Sequence, residues 1–228
     1  DRPDLIKWVK FSGASWTLDG KGFFYSRYDE PTEETKMVGA NYYQKLFYHR
    51  LGTLQSEDPL IYERRDHKEW GFGGSVTEDG RYLVINVSEG TDPKNRVFYK
   101  DLQAKDGKVI ELLADFDASY NFIGNDGPVF WFQTDLKASR GRVIAIDTRS
   151  PSRDRWKEII PQAAETLLGT GVLNDMFVAT YLKDAHSLVK IFRLDGAWVR
   201  DVELPGIGSA GGFDGKRADK ETFYSFTG

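Results

Sequence analysis

The sequence predicts an all-β fold of the β-propeller type, and three observations support this. Aromatic residues make up 14% of the 228 residues, and aromatic side chains favour pleated, half-buried sheets. An Asp-Gly or Asn-Asp turn followed by an apolar strand recurs, with the second turn residue at 20, 80, 127, 175 and 215. Units of roughly 40–50 residues built from short strands, with almost no helical periodicity, are typical of propeller blades. A β-sandwich with coincidental turn spacing is the alternative that this pattern leaves open.

Each repeat is predicted to hold a small-residue inner strand, an apolar second strand, a third strand and an outer strand. The predicted second strands are 22–25, 82–85, 129–132 and 177–181, and the third strands are 45–51, 96–102, 142–147 and 188–194. Outer strands are predicted at 59–62 and 109–113, and one helix-like stretch at 161–168. Small residues in the inner strands, as in 71–75, suit strands that converge on a crowded axis. Residues 120–123, Tyr-Asn-Phe-Ile, break that pattern.

The repeats suggest that residues 1–228 are one partial propeller domain with about four and a half blades. The predicted repeats are 5–66, 67–117, 118–162, 163–205 and the incomplete 206–228. The last unit has only its first two strands, so its unpaired edge requires a partner from elsewhere. Because the chain opens without Met or a signal-peptide pattern, we interpret it as an excised or processed segment.

Composition argues against several classes of function. A net charge of −4 with scattered basic residues gives no basic face for nucleic acid. The longest apolar runs fall far short of the ~18 residues of a membrane span, so no membrane partner is expected. With no cysteine there is no disulfide and no thiolate metal site. This composition favours the cytoplasm, with the periplasm as the alternative.

The motifs that carry hydrolytic chemistry are missing from the sequence. A nucleophile elbow requires Gly-x-Ser-x-Gly, and no serine has glycine at both of those positions. The three histidines, His49, His67 and His186, lie in different repeats. We therefore expect each of them at the surface or at a strand edge rather than as a catalytic base.

Three further motifs match only in form, so no cofactor and no metal are expected. Residues 206–211 fit the Gly-x-Gly-x-x-Gly dinucleotide pattern, but a strand and not a helix is predicted to follow. Residues 115–126 resemble a calcium loop, but Tyr120 and Asp126 stand where Gly and Glu are needed. The sequon at 86–88 falls on an apolar strand and is interpreted as unused.

The order of several segments resembles the propeller of the prolyl oligopeptidase (prolyl endopeptidase) family. The similarity runs from end to end of the chain, and the collinear set is more specific than any single piece. The segments are Val9–Ser12, Ser15–Thr17, Asp19–Tyr25, Gln44–His49, Leu51–Asp58, Ser88–Arg96, Trp156–Pro161, Tyr181–Ala185 and Leu204–Ser209.

The resemblance implies a segment of a seven-bladed propeller that gates access to the active site of a serine oligopeptidase cleaving after proline. The implied partners are an α/β-hydrolase domain of the same parent chain, which carries the Ser-Asp-His triad, and short proline-containing peptides. No catalytic residue is expected in this segment. A free-standing propeller interaction module without enzymatic activity is the alternative, and an acylaminoacyl- or dipeptidyl-peptidase relative is a third possibility.

The resemblance also points to two places that face the substrate cavity. One is the loop around Thr91, where relatives often carry Arg and Cys at the positions of Ser88 and Thr91. The other is the Gly71-Phe72 region, where a larger apolar residue helps to build the pocket beyond the proline site. Phe72 is favoured over Gly71 for that role.

Overall fold

The computed structural model describes residues 4–32 and 41–228, which belong to two compact units, residues 1–117 and 118–228. The described residues form 18 β-strands and two short 3₁₀ turns, Gln55–Glu57 and Arg153–Arg155. This confirms the predicted all-β fold. No helix within the described ranges has the length and apolar character to cross a membrane.

The first unit holds two four-stranded antiparallel sheets, each with its strands in chain order. Sheet 1 consists of β1 (Ser15–Trp16), β2 (Gly22–Arg27), β3 (Lys45–Arg50) and β4 (Leu60–Tyr62). Sheet 2 consists of β5 (Trp70–Val76), β6 (Tyr82–Glu89), β7 (Arg96–Asp101) and β8 (Ile110–Leu113).

The second unit repeats this plan and ends in a two-stranded hairpin. Sheet 3 consists of β9 (Tyr120–Asp126), β10 (Val129–Thr134), β11 (Arg142–Asp147) and β12 (Lys157–Ile160). Sheet 4 consists of β13 (Thr166–Leu173), β14 (Met176–Lys183), β15 (His186–Arg193) and β16 (Trp198–Asp201). The hairpin pairs β17 (Ser209–Gly211) with β18 (Ser225–Thr227).

The Asp-Gly turns predicted from the sequence join the first and second strands of their sheets. In sheet 1 the Thr17 hydroxyl donates a 2.7 Å hydrogen bond to the Asp19 carboxylate. The same carboxylate accepts a hydrogen bond from the Lys21 amide. Gly20 then adopts φ +66°, the left-handed region that favours glycine. Thr77 and Asp79 repeat the arrangement in sheet 2. A four-residue Thr-x-Asp-Gly sequence therefore sets the position of both hairpins.

Alternation along the strands places one face of each sheet in a shared core. In the first unit Phe24 and Leu46 of sheet 1 pack with residues of sheet 2 such as Leu83 and Phe98. In the second unit the core combines buried residues of sheets 3 and 4, namely Trp131, Val143, Ala145, Ile160, Leu167, Phe177, Ala179, Tyr181 and Phe192. Because successive residues point to opposite faces, the unbroken buried runs 82–85 of β6 and 143–146 of β11 show that these middle strands are covered on both faces.

The aromatic inner strand at 120–123 packs against its own sheet. Tyr120 is 2% exposed and meets the ring of Trp156 edge-on at 6.4 Å. Phe122 contacts Phe130 and Phe132 in edge-to-face geometry at 5.3 and 5.7 Å. A register irregularity between Trp131 and Phe132 accompanies this packing, so the bulky residues are accommodated within sheet 3.

Two local expectations can be compared with the described strands. The helix predicted at 161–168 is wrong, because 161–165 are irregular and Thr166 begins β13, whose pairing with β14 satisfies the backbone. Residues 209–211 of the dinucleotide-like pattern form β17, and the next regular element is the strand β18, in agreement with the strand predicted to follow. The second half of the calcium-like stretch, 120–126, forms β9 rather than a loop.

Candidate functional site

Two of the predicted site residues face each other at one end of sheet 2. Gly71 of β5 pairs directly with Ser88 of β6. A Cβ atom at Gly71 would lie only 2.8 Å from the Ser88 hydroxyl oxygen. Any side chain at Gly71 therefore requires Ser88 to move, and the two positions act as one small-residue notch.

Thr91 lies on the exposed turn that follows β6. The preceding Gly90 has φ +59°, and the amide of Asp92 donates to the carbonyl of Glu89 at 3.3 Å. The Asp92 carboxylate in turn accepts the Lys94 amide at 2.9 Å. Thr91 is exposed in this turn, close in sequence to Ser88 at the end of the same strand.

Phe72 lies on the opposite face of β5 and is only 2% exposed. Its ring meets Tyr62 edge-on at 5.4 Å and belongs to the core of the first unit with Trp70 and Val87. Because successive strand residues point to opposite faces, Gly71 and Phe72 occupy different environments. Phe72 therefore lies behind the notch formed by Gly71 and Ser88, and its side chain is closed to solvent.

Gln44 connects this end of sheet 2 to the rest of the unit, and sequence reasoning did not single it out. Its side chain is buried; the Phe72 amide donates to its Oε1 at 2.6 Å, and its Nε2 donates to the Lys10 carbonyl at 2.9 Å. A Cβ atom at Gly71 would be 3.4 Å from Oε1. No local pattern marks Gln44, because its partner in β5 lies 28 residues away.

Gln44 also lines a cavity of about 420 Å³ in the first unit. The lining residues are Asp29, Tyr43, Gln44, Lys45, Glu63, Arg64 and Arg65. This volume lies within the ~300–1,000 Å³ of small-ligand and peptide side-chain pockets.

Each charged group that lines the cavity has an ion-pair partner, and the partners of Arg64, Asp66 and Glu111, lie outside the lining. Lys45 bonds the Asp29 carboxylate at 2.6 Å, and Arg65 bonds Glu63 at 3.0 Å. Arg64 makes two 2.8 Å hydrogen bonds to Asp66 and holds the pKa of that carboxyl well below its usual range. The wall therefore offers hydrogen-bonding groups and an aromatic ring without a large excess of one charge.

The Trp70 ring anchors the start of β5. The His67 ring stacks on it at 3.9 Å with an interplanar angle of 6°, and the guanidinium groups of Arg64 and Arg96 lie 4.7 and 4.4 Å from its centroid. Such cation–π contacts contribute about 0.5–1 kcal/mol each at exposed sites. They fix the strand residue immediately before Gly71.

His49 departs from the expectation of a surface or strand-edge position, because its side chain is fully buried. It lies opposite Phe23 in the β2–β3 pair, on a face of sheet 1 that residues 4–12 approach. Its Nδ1 faces Asp58 at 2.8 Å and its Nε2 faces Asp4 at 3.0 Å. Both ring nitrogens therefore face carboxylates rather than a hydroxyl, which is not the arrangement that activates a serine nucleophile.

Repeated four-stranded antiparallel sheets with strands in chain order define a protein of the β-propeller class. The family model described as "Prolyl oligopeptidase, N-terminal beta-propeller domain" matches residues 1–228. The chain belongs to this family.

Relatives and solved structures agree with that assignment. Prolyl endopeptidases from Elizabethkingia miricola and Elizabethkingia meningoseptica are 38% and 39% identical over 220 residues, 96% of this chain. A solved prolyl endopeptidase structure superposes with a TM-score of 0.87 at 36% identity, over 97% of this chain and 31% of that one. Prolyl oligopeptidase B from Galerina marginata, bound to a 35mer hydrolysis and macrocyclization substrate, gives 0.86 at 26% identity, over 97% and 31%. The chain spans 30% of the length of the curated Elizabethkingia relatives.

Proposed function

We propose that this chain is the substrate-gating propeller segment of a serine oligopeptidase that hydrolyses short peptides on the carboxyl side of proline. The observation that carries the proposal is the end-to-end similarity to prolyl endopeptidases, 38% identity over 96% of the chain. In this proposal the acyl-transfer chemistry belongs to an α/β-hydrolase domain of the same parent chain. The segment contributes a wall that excludes water and large substrates. We place the enzyme in the cytoplasm, with the periplasm as the alternative.

We further propose that the propeller repeats are 5–66, 67–117, 118–162, 163–205 and the incomplete 206–228. The four-stranded sheets support this division, because all four strands of each sheet lie within one of the first four repeats. Limited proteolysis tests it: cuts between repeats should release fragments with intact sheets, and cuts confined to the strands would contradict it.

Gly71, Ser88 and Thr91, with Phe72 behind them, are proposed as the part of the wall that meets the peptide. The support is geometric. Gly71 and Ser88 form a notch, and Gln44 connects that notch to the cavity, whose charged lining residues all have ion-pair partners. A wall with paired charges and free hydroxyls selects peptides by size and hydrogen bonding more than by net charge.

Sequencing the reading frame after Gly228 tests the enzymatic proposal. A hydrolase domain with Gly-x-Ser-x-Gly supports it, whereas further blades followed by a stop would establish the free-standing module instead. The full-length protein should then cleave a Gly-Pro reporter, and an inactive full-length protein would contradict the proposal.

The wall is tested in the full-length enzyme with Ser88→Arg. The new side chain fills the notch, so we expect a several-fold change in KM for peptides of about ten residues with little change for a dipeptide reporter. Ser152→Arg is the matched control, because it adds the same charge at an exposed serine in the other unit. Equal KM values for Ser88→Arg, Ser152→Arg and the unmodified enzyme at every peptide length would refute the assignment of this wall.

A further inference from the structure

The amino-terminal segment, residues 4–12, lies along sheet 1 without forming a strand. It is held by hydrogen bonds to side chains and backbone at successive points. Gln55 bonds both the amide and the carbonyl of Lys7, at 3.1 and 3.0 Å, and the Tyr28 amide donates to the Trp8 carbonyl at 3.1 Å. Trp8 and Phe11 have φ values of +63° and +55°, which bulky L-residues rarely adopt. The segment is thus a strained strap that specific bonds keep in place.

The most buried of these bonds is made by His49. The side chains of His49 and Asp58 are fully buried, and that of Asp4 is 14% exposed. Asp58 also accepts a 2.6 Å hydrogen bond from the Tyr25 hydroxyl, which keeps Asp58 in position. Asp4 likewise accepts the Gly52 amide, so the first described residue of the segment is fixed at two points.

The geometry requires a proton on each ring nitrogen if both carboxylates are ionised. A neutral imidazole has one N–H, so one of the two carboxylates would face a nitrogen lone pair. Loss of the proton would also leave two largely buried carboxylates on either side of a ring without charge, which is unfavourable. Asp58 is retained by Tyr25, whereas Asp4 belongs to the strained segment and has partial access to solvent.

We propose that His49 is held as an imidazolium whose charge fastens residues 4–12 to sheet 1, and that the segment detaches when His49 loses its proton. Within residues 4–32 and 41–228, the charged and titratable groups that face the ring include Asp4 from the segment, Asp58 from the loop before β4 and Tyr25 from β2, with the Phe23 ring 5.2 Å away. The inference does not depend on the enzymatic function proposed above.

The expected pH range follows from the direction of the pKa shift. Burial alone would lower the pKa of His49, but hydrogen bonds and charge from Asp58 and Asp4 outweigh it and raise the pKa. We call the interaction of protonated His49 with Asp4 and Asp58 the clamp. A raised pKa means that the clamp stabilises the attached segment fully below the ordinary histidine value of about 6.5, and that this stabilisation is lost as pH rises through the folded-state pKa. Detachment is therefore an alkaline event.

Detachment would reach the candidate wall through Gln44. The same side chain that bonds the Phe72 amide also bonds the Lys10 carbonyl, within the segment. Releasing the segment removes the second of these bonds, so Gln44 gains freedom beside the Gly71 notch. His49 and the wall are thereby joined by one continuous set of hydrogen bonds and chain.

Nitrogen NMR of the imidazole rings between pH 6 and 10 tests the charge on the 228-residue chain. There are three histidines, so His67→Gln and His186→Gln assign the signals without touching the clamp. We expect His49 to show two protonated nitrogens at pH 7 and to titrate above the ordinary histidine value of about 6.5. A neutral His49 at pH 7, or a His49 pKa below the ordinary histidine value of about 6.5, overturns the proposal.

Hydrogen exchange of residues 5–12, corrected for the intrinsic effect of pH, tests the clamp. Asp4→Asn removes one charge of the buried set, and Glu69→Gln is the control on an exposed carboxylate of the first unit. We expect Asp4→Asn to raise exchange roughly 10- to 100-fold at pH 7 and to abolish its increase at alkaline pH. Unchanged exchange in Asp4→Asn, or protection of the original chain that persists above the His49 pKa, refutes the clamp.

Discussion

Replacing Gln44 by Leu should destabilise the first unit by about 1–3 kcal/mol. The substitution keeps the size of a buried side chain but removes both of its hydrogen bonds. The Phe72 amide is buried and loses its 2.6 Å acceptor, which costs about 1–3 kcal/mol for an unsatisfied group. The Lys10 carbonyl belongs to an exposed residue, so water replaces the 2.9 Å bond there at little cost. The loss therefore arises almost entirely at β5.

Hydrogen exchange at the Phe72 amide and urea unfolding followed by tryptophan fluorescence measure this effect. Exchange gives the local result even if the two units do not unfold in one step. Gln133→Leu is the matched control, because that partly exposed glutamine makes a single 3.2 Å bond to the Leu167 carbonyl in the second unit. We expect the control to lose less than about 1 kcal/mol. A Gln44→Leu chain as stable as the control, with unchanged protection of the Phe72 amide, would refute the argument.

Two further predictions concern the second unit. Gly196→Ala should lower the free energy of unfolding in urea by at least about 3 kcal/mol, because φ is +89° and the new Cβ would lie 2.0 Å from the Ile159 carbonyl oxygen. Gly127→Ala is the control: φ is +52° there, no atom lies within 4 Å of the new Cβ, and the loss should be only about 1 kcal/mol. Equal losses of stability in the two variants would contradict this prediction, because they would show that the backbone at Ile159 moves away from the new Cβ at no cost. Arg217→Gln removes the ion pairs with Asp175 and Asp126 and should cost about 1 kcal/mol at low salt, and less in 1 M NaCl. A loss that does not change with salt would contradict an ionic origin.

The strands were predictable because their patterns are local. The predicted third strand at 142–147 coincides with β11, since alternating apolar residues and the flanking turns mark both its ends. Inner strands were less well defined: small residues mark the one at 71–75, but no bounds were predicted for the first strand of sheet 1, and β1 is only Ser15–Trp16. A short edge strand has few cross-strand partners, so sequence carries little information about its length.

The candidate wall was only partly predictable, because successive residues of a strand point to opposite faces of the sheet, so an error of one residue changes the face. Favouring Phe72 over Gly71 moves the expected contact from one face of β5 to the other. In the structure Phe72 is in the core, and Gly71 is the residue opposite Ser88. Residue type gave no guidance, since a Phe suits either a pocket or a core.

Gln44 and His49 were not predictable as a linked set. Asp58 is 9 residues from His49, but the other partners lie 28 to 45 residues away in sequence, and those bonds form only when sheet 1, sheet 2 and the amino-terminal segment come together. A histidine that alternates with apolar residues on a strand has no local mark of burial. What determines its position is the pair of carboxylates, Asp4 and Asp58, that compensate its charge.

The small residues of the inner strands have more than one physical cause. Crowding at a central axis was the expected reason, but Gly74 of β5 lies where a Cβ would be 3.2–3.6 Å from Leu83, Leu46 and Phe24. Its lack of a side chain therefore lets sheet 1 pack closely on sheet 2. Gly73, one residue earlier, has only a distant neighbour at 4.0 Å, so packing does not require glycine there. Adjacent glycines in one strand are therefore subject to different constraints, and packing of the core requires glycine only at the position that faces the neighbouring sheet.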